Sequence, residues 1–335
     1  LKILITADPF IPVPPIHYGG IERIIDMIIC EFIRQGHEVI LIAHKDSKPK
    51  EGCKLIAYTS DKDLPFKNAI LILKTYLKYR PDVVHSFSRL IYLLPLLPLK
   101  VKKIMTYQRE PTLSQISKAV KISSNGSLIF TGCSSYISNQ ISKVAESYTV
   151  YNGIPIRLFD YVPVVPEDAA LVFLGRVEEI KGAHIAIEIA KKTNKRLLIA
   201  GNIPEEHVEY FNIKIKPELN EQIVYVGPVN DKQKNELLKN ALAFLMPILW
   251  NEPFGIVMAE AMACGTPVVG FARGAVPEVI EHGVTGFSCN SIDEMIHSVN
   301  NIHSIERSLV RRAAEIRFSS DVISKRYIEL YKNDI

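Results

Sequence analysis

Cysteine is scarce and unpatterned in this chain. The five residues, Cys30, Cys53, Cys133, Cys264 and Cys289, are odd in number, scattered, and never in a C-x-x-C pair. That argues against a disulfide frame or a zinc knuckle and for reduced thiols in a cytoplasmic protein. Long apolar runs are also missing. The longest, Leu90 to Leu99, falls well short of the roughly 18–20 residues a membrane-spanning helix needs and contains Pro95 and Pro98. No basic segment followed by a cleavable apolar stretch opens the sequence, so no signal peptide is expected. Neither sign of charge dominates: 40 Lys and Arg face 36 Asp and Glu. With 47% hydrophobic and 23% charged residues, disorder, collagen and coiled coil are excluded. The 335 residues are enough for two domains, each with its own core.

The balanced total conceals an asymmetry. Residues 1–152 carry 20 Lys and Arg against 12 Asp and Glu, a net of +8, and the remainder carries 20 against 24, a net of −4. Two units with different partners are expected. Short apolar runs alternate with amphipathic stretches in both. Strands are predicted at Lys2–Ala7, Val39–Ala43, Lys54–Thr59, Val83–Ser86, Lys103–Tyr107 and Leu128–Gly132, with helices at Ile21–Gln35, Phe66–Tyr79 and Tyr136–Val144. After Asn152 the pattern restarts. Strands fit Leu171–Leu174, Arg196–Ala200, Ile223–Val226, Ala243–Met246 and Pro267–Phe271, and helices fit Ala183–Thr193, Lys232–Lys239 and Gly255–Ala263. Uncharged strands alternating with helices imply parallel sheets covered on both faces. The predicted class is α/β with two doubly wound, Rossmann-like domains, residues 1–155 and 156–315, facing an interdomain cleft. A C-terminal helix, 316–335, is expected to pack back on the first domain.

One cluster stands out: Trp250-Asn251-Glu252-Pro253-Phe254-Gly255-Ile256, ending at Glu260. It follows a strand and opens a helix, with Pro253 read in the first turn. Gly255 lets a ligand approach the backbone, and the free N–H groups of the first turn suit an anion. Eight steps at helical rise separate Glu252 from Glu260 by about 12 Å. That is too far for two acids working on one bond, and suits acids gripping hydroxyls at opposite ends of an extended ligand. Glu260 lies on a stretch apolar nearly all round, so its charge needs a partner.

This block resembles the E-x7-E motif of the retaining family 4 glycosyltransferases (glycosyl transferases group 1), which have the GT-B fold. Ala261-Met262-Ala263-Cys264-Gly265-Thr266-Pro267, Gly274-Ala275-Val276-Pro277-Glu278 and Gly283-Val284-Thr285-Gly286 resemble that family too. The resemblance implies that Glu252 holds sugar hydroxyls and Glu260 the ribose. It places the backbone at Phe254, Gly255 and Ile256 against the sugar and diphosphate.

Arg176, after Gly175, and Lys181 follow the strand Leu171–Leu174. An isolated pair of this kind reads as solvated loop charge. Within the resemblance the two bind the donor diphosphate, where an Arg fork and a Lys point charge would stabilise the leaving group. His17-Tyr18-Gly19-Gly20-Ile21 opens the first helix and is not the G-x-G-x-x-G dinucleotide fingerprint. It resembles the glycine loop facing donor and acceptor, which makes Gly19 and Gly20 donor contacts and Tyr18 an acceptor contact. His85 ends a strand and is expected to point into the cleft; the resemblance, in which a His at this place meets the donor sugar near the reacting carbon, makes it a catalytic candidate, and the alternative is a structural hydrogen-bonder. Arg109 either binds an anionic acceptor or pairs with Glu110. The family's second glycine in G-x-G-P is Ile203 here, although Gly201 still lines the expected nucleotide pocket and Val229 the base.

Asp61-Lys62-Asp63 has the spacing of a metal-binding acid pair, but sits in a polar loop, and no metal or other cofactor is expected. Residues 90–103 combine an apolar run with Lys100, Lys102 and Lys103. They read as a buried helix with a solvated end, or as peripheral contact with the inner face of a membrane. Nucleic acid is disfavoured because the cations are dispersed and lack interleaved aromatics.

The expected activity is a metal-independent hexosyltransferase. It would move a sugar with retention from a UDP- or GDP-sugar, a substrate rather than a cofactor, to an acceptor hydroxyl on a glycan, lipid or small molecule. A nucleotide-sugar epimerase, which would need an acid/base set such as His85, and an inactive nucleotide-sugar-binding protein are the alternatives.

Overall fold

The computed structural model describes residues 1–16 and 19–332. The chain forms two compact units. The N-terminal unit comprises Leu1–Ile154 and returns with Ser320–Ile335, and the C-terminal unit is Pro155–Ser319.

In the N-terminal unit the elements run β1 (Lys2–Thr6), α1 (Gly20–Arg34), β2 (Glu38–Ala43), β3 (Cys53–Ala57), α2 (Pro65–Tyr79) and β4 (Val83–Ser86). A 3-10 helix (Leu90–Leu96) follows, then β5 (Lys102–Tyr107), α3 (Leu113–Ile122), β6 (Leu128–Gly132), α4 (Ser135–Ile141) and β7 (Ser147–Thr149). The seven strands pair in the order β3-β2-β1-β4-β5-β6-β7. Every pair is parallel, and Ile3 on β1 sits between Val39 and Val83. Ile3, Leu4 and Ile5 are wholly buried although they point to alternate faces, so both faces are covered. The chain moves one way from β1 to β3, then crosses back and moves the other way from β4.

The C-terminal unit repeats this plan with β8 (Leu171–Leu174), α5 (Ala183–Lys192), β9 (Leu197–Ala200), α6 (Val208–Tyr210), β10 (Ile223–Gly227), α7 (Asp231–Lys239) and β11 (Ala243–Met246). It ends with α8 (Ile256–Ala263), β12 (Val268–Phe271), α9 (Val276–Val279), β13 (Gly286–Cys289), α10 (Ile292–Asn300) and α11 (Arg307–Phe318). The sheet order is β10-β9-β8-β11-β12-β13, so its travel reverses between β8 and β11. Asn230 caps α7 with a full capping box to Gln233.

The helical region at 316–335 is two helices rather than one. Residues 316–318 close α11 in the C-terminal unit, and α12 (Ser320–Lys332) belongs to the N-terminal unit. The break at Ser319 lets the Ser320 N–H donate to the Ile154 carbonyl at 2.9 Å. From there α12 packs on α1: Arg34 bonds Asp321 at 2.7 Å, Ser320 donates to Glu31, and Gln35 donates to Ser324.

Candidate active site

In doubly wound sheets, ligands settle beyond the carboxyl ends of the strands where the chain reverses its travel. In the C-terminal unit that point lies between β8 and β11, and the loops leaving these two strands carry the predicted residues. The loop after β8 holds Gly175, Arg176, Glu178 and Lys181, and the loop after β11 runs from Pro247 to Gly255. The two are tied together where the Leu249 N–H donates to the Ile180 carbonyl at 2.8 Å.

Close approach at this junction depends on Gly182, whose φ of 78° begins α5. A Cβ there would lie 2.0 Å from the Pro247 carbonyl oxygen. The contact aligns the loops so that Lys181 Nζ reaches Glu252 Oε2 at 3.1 Å. The same ammonium lies 4.8 Å from the centroid of the Trp250 ring, a cation–π contact. Glu252 is held from behind. The Ala275 N–H donates to its carbonyl at 2.8 Å, and Gly274, at φ 58°, leaves room for its backbone. A Cβ on Gly274 would come within 2.4 Å of the Glu252 carbonyl oxygen.

The carboxylate spacing needs correction. The helix begins at Ile256, not at Pro253, because Gly255 adopts a left-handed φ of 77° and breaks the run. Glu252 therefore lies on a loop and Glu260 on the helix, so helical rise does not measure their separation. Each has its own cation. Glu260, nearly buried, accepts from Lys234 of α7 at 2.5 Å, which supplies the partner its apolar surroundings require. No side chain caps α8 and its first turn holds no acid, so its first N–H groups have no side-chain acceptor. Phe254 turns its ring inward against Phe318, centroids 5.5 Å apart, and only its backbone is left for a ligand.

Arg176 Nη2 lies 2.9 Å from Glu178 Oε1, and His207 Nε2 lies 3.3 Å from the other oxygen of that buried carboxylate. Gly201 follows β9, its N–H donating to Gly227 and its carbonyl accepting from the Tyr225 hydroxyl at 2.8 Å. Val229 is half-buried just before α7. A groove of about 470 Å³, lined by Leu249, Phe271, Ala272, Arg273, Cys289 and Asn290, opens at the same sheet edge. Another cavity, about 400 Å³, lies at the opposite edge beside Leu242, Pro267 and Arg307, remote from these groups.

Several expectations for the N-terminal unit change. His85 does not point outward. It is fully buried, with Nδ1 2.5 Å from the Tyr331 hydroxyl and Nε2 2.7 Å from Thr106 Oγ1. Burial pushes its pKa down to about 3. Both nitrogens are committed to the fold, which corrects its assignment as a catalytic residue and makes it the structural hydrogen-bonder. Arg109 pairs with Asp8 at 3.7 Å, whereas Glu110 accepts from Tyr136. Gly19 precedes α1 and Gly20 begins it, with Glu22 buried beside Gly19. Tyr18 lies outside the described residues. Asp63 accepts from Arg89 and, at 2.6 Å, from the Tyr92 hydroxyl. That occupies one half of the D-x-D spacing.

Sequence reasoning missed Lys234, Glu178, Gly182 and Gly274 as supports of the site. The glycines were visible in the motifs, but their roles depend on backbones far away in sequence.

A parallel sheet with a cation–carboxylate pair and an uncapped helix start at its switch point is an α/β unit whose ligand position lies at that point. Residues 160–315, most of the C-terminal unit, match the family described as glycosyl transferases group 1. N-acetyl-alpha-D-glucosaminyl L-malate synthase of Bacillus anthracis is 28% identical over 206 residues, which cover 55% of this chain and 52% of the relative. The match thus spans about half the length of that protein. AviGT4, a glycosyltransferase involved in avilamycin A biosynthesis, superimposes with a TM-score of 0.77 at 24% identity, covering 99% of this chain and 97% of its own. Anabaena Alr3699/HepE, solved with UDP and glucose, gives 0.74 at 18% identity and 98% coverage of both chains. These similarities establish the fold as GT-B, two Rossmann-like doubly wound units in one chain.

Proposed function

We propose that this chain is a retaining glycosyltransferase that uses a nucleoside diphosphate-sugar, UDP- or GDP-linked, as donor. The observation that carries the reading is the Lys181–Glu252 pair at the switch point of the C-terminal unit, beside the uncapped start of α8. When a donor enters, its diphosphate competes for the Lys181 ammonium, which frees Glu252 to accept from sugar hydroxyls. Arg176 supplies the second cation, and Glu260, steadied by Lys234, accepts from the ribose. The bond from the anomeric carbon to the diphosphate oxygen breaks, and its electron pair stays on the diphosphate. The acceptor oxygen bonds to the same face of that carbon, and its proton passes to the departing phosphate oxygen. Arg176 and Lys181 carry the charge that develops there, with no metal ion assigned to the step. The Anabaena protein's complex with UDP supports the choice of donor class.

Incubating the chain with UDP- and GDP-sugars and a set of glycan, lipid and small-molecule acceptors, with and without EDTA, tests the reading. The expected products are a free nucleoside diphosphate and a glycoside of the donor's anomeric configuration, in equal yield with EDTA. An inverted product, or a new sugar nucleotide formed from donor alone, would overturn it. The second outcome would indicate an epimerase, a reading weakened because His85 is enclosed.

A further inference from the structure

The positive surplus of the N-terminal unit has a location. Between residues 64 and 145 there are 12 Lys and Arg and only two acids, Asp82 and Glu110. Three consecutive helical elements of this stretch, α2, the 3-10 helix and α3, contain no acid at all. They lie on one face of the sheet. From β3 to β6 the chain makes successive crossovers in one direction, and right-handed crossovers place their helices together. Contacts between the 3-10 helix and both α2 and α3 agree with this.

The outward side of α2 is divided lengthwise. Phe66, Ile70 and Leu77 recur at helical spacing and face solvent, Phe66 at 77% and Ile70 at 49% exposure. Lys67, Lys74 and Lys78 form a parallel exposed row rotated by less than a quarter turn. The helix turns Ala69 and Ile72 inward together with the polar Asn68 and Thr75, so it carries an apolar strip on its solvent side in addition to the one that anchors it to the sheet. On the neighbouring elements Ile91 and Leu94 of the 3-10 helix and Val120 and Ile122 of α3 are exposed as well, as are Lys100, Lys118 and Lys121.

We propose that this face docks on an anionic lipid bilayer, with Phe66, Ile70, Leu77, Ile91 and Leu94 entering the acyl boundary and the flanking lysines at the phosphate level. The combination decides between partners. A bilayer rewards an apolar strip bordered by flexible cations. A nucleic-acid backbone rewards the cations alone. A second copy of the same face would bring like charges together. Docking here does not depend on the reaction the chain performs.

Co-sedimentation of the full chain with vesicles of phosphatidylcholine alone, and with 30% phosphatidylglycerol, tests the proposal. Binding is expected only to the anionic vesicles, and it should weaken from 50 to 500 mM salt. The Lys67→Gln, Lys74→Gln, Lys78→Gln variant should bind more weakly by about fivefold per lysine removed. Phe66→Ser with Ile70→Ser should reduce binding at least tenfold while leaving the thermal melt in place, since both side chains are exposed. The salt series on the unaltered chain keeps the test intact if a variant misfolds. Equal binding to neutral vesicles, no binding to either, or variants that bind like the parent would each overturn it. So would an Ile70-dependent dimer, or capture of a DNA oligonucleotide that ignores the serine substitutions in the absence of vesicle binding.

Discussion

Gly182 allows the packing that builds the site to be measured. Gly182 and Gly283 share a φ of 78°, and both belong to the C-terminal unit. Their surroundings differ. A Cβ on Gly182 would stand 2.0 Å from the Pro247 carbonyl oxygen, whereas one on Gly283 would meet nothing within 4 Å. Alanine at either position occupies the left-handed region at a cost of about 1–2 kcal/mol. At Gly182 the overlap must also be relieved by moving the loop after β11, and overpacking of this kind adds about 1–3 kcal/mol. In a unit of this size each kcal/mol shifts the midpoint by about 2–4 °C. Calorimetry of the full chain, following the transition of the C-terminal unit, should therefore place Gly182→Ala about 4–8 °C below Gly283→Ala if the overlap costs about 2 kcal/mol. Gly182→Ala should also weaken nucleotide binding, because the displaced loop carries Glu252, while Gly283→Ala should not. Equal midpoints for the two variants would refute the claim that this contact sets the loop.

Two further outcomes concern the buried polar groups. Arg307 is buried and donates to the carbonyls of Val162, Lys239, Ala241 and Cys264 and to the Thr266 hydroxyl; Arg307→Ala strands these acceptors and should cost about 3 kcal/mol or more in denaturant unfolding, and a loss below 1 kcal/mol would count against a staple role. His85, held down to about 3, stays neutral in the folded chain while the unfolded imidazole protonates near 6.5. Its contribution is thus complete above pH 6.5 and declines towards pH 3, by up to about 1.4 kcal/mol per pH unit. His85→Gln should flatten the difference in stability between pH 7 and pH 5, and an unchanged difference would show that His85 does not titrate on unfolding.

The strand–helix alternation and the motif around Glu252 were legible in the sequence, because buried parallel strands leave uninterrupted apolar runs. β7 and β13 were not. Ser147-Tyr-Thr and Gly286-Phe-Ser-Cys are edge strands, each with little apolar signal, and take their order from a neighbour. α3 was missed because polar residues occupy much of its exposed face. Position alone could not orient His85. Period-two alternation gives the face of the sheet, but the Tyr331 hydroxyl that closes over it lies 246 residues away. Glu260's need for a partner followed from its apolar neighbours, while the choice of Lys234 depended on how α7 lies beside α8. Of the cations that read as dispersed along the chain, Lys67, Lys74 and Lys78 on α2 and Lys118 and Lys121 on α3 are brought by the crossovers onto one face of the N-terminal unit.

Isothermal titration of UDP and GDP into the full chain and into Lys181→Ala asks whether Lys181 and Glu252 form a donor site. At least one of the two nucleotides should bind, and losing a charge-assisted contact should weaken it by about 10- to 150-fold. The same nucleoside without its diphosphate should bind both proteins alike. Equal affinity of the two proteins for the diphosphate, or no binding of either nucleotide to the unaltered chain, would contradict the assignment of Lys181 and Glu252 to a donor site.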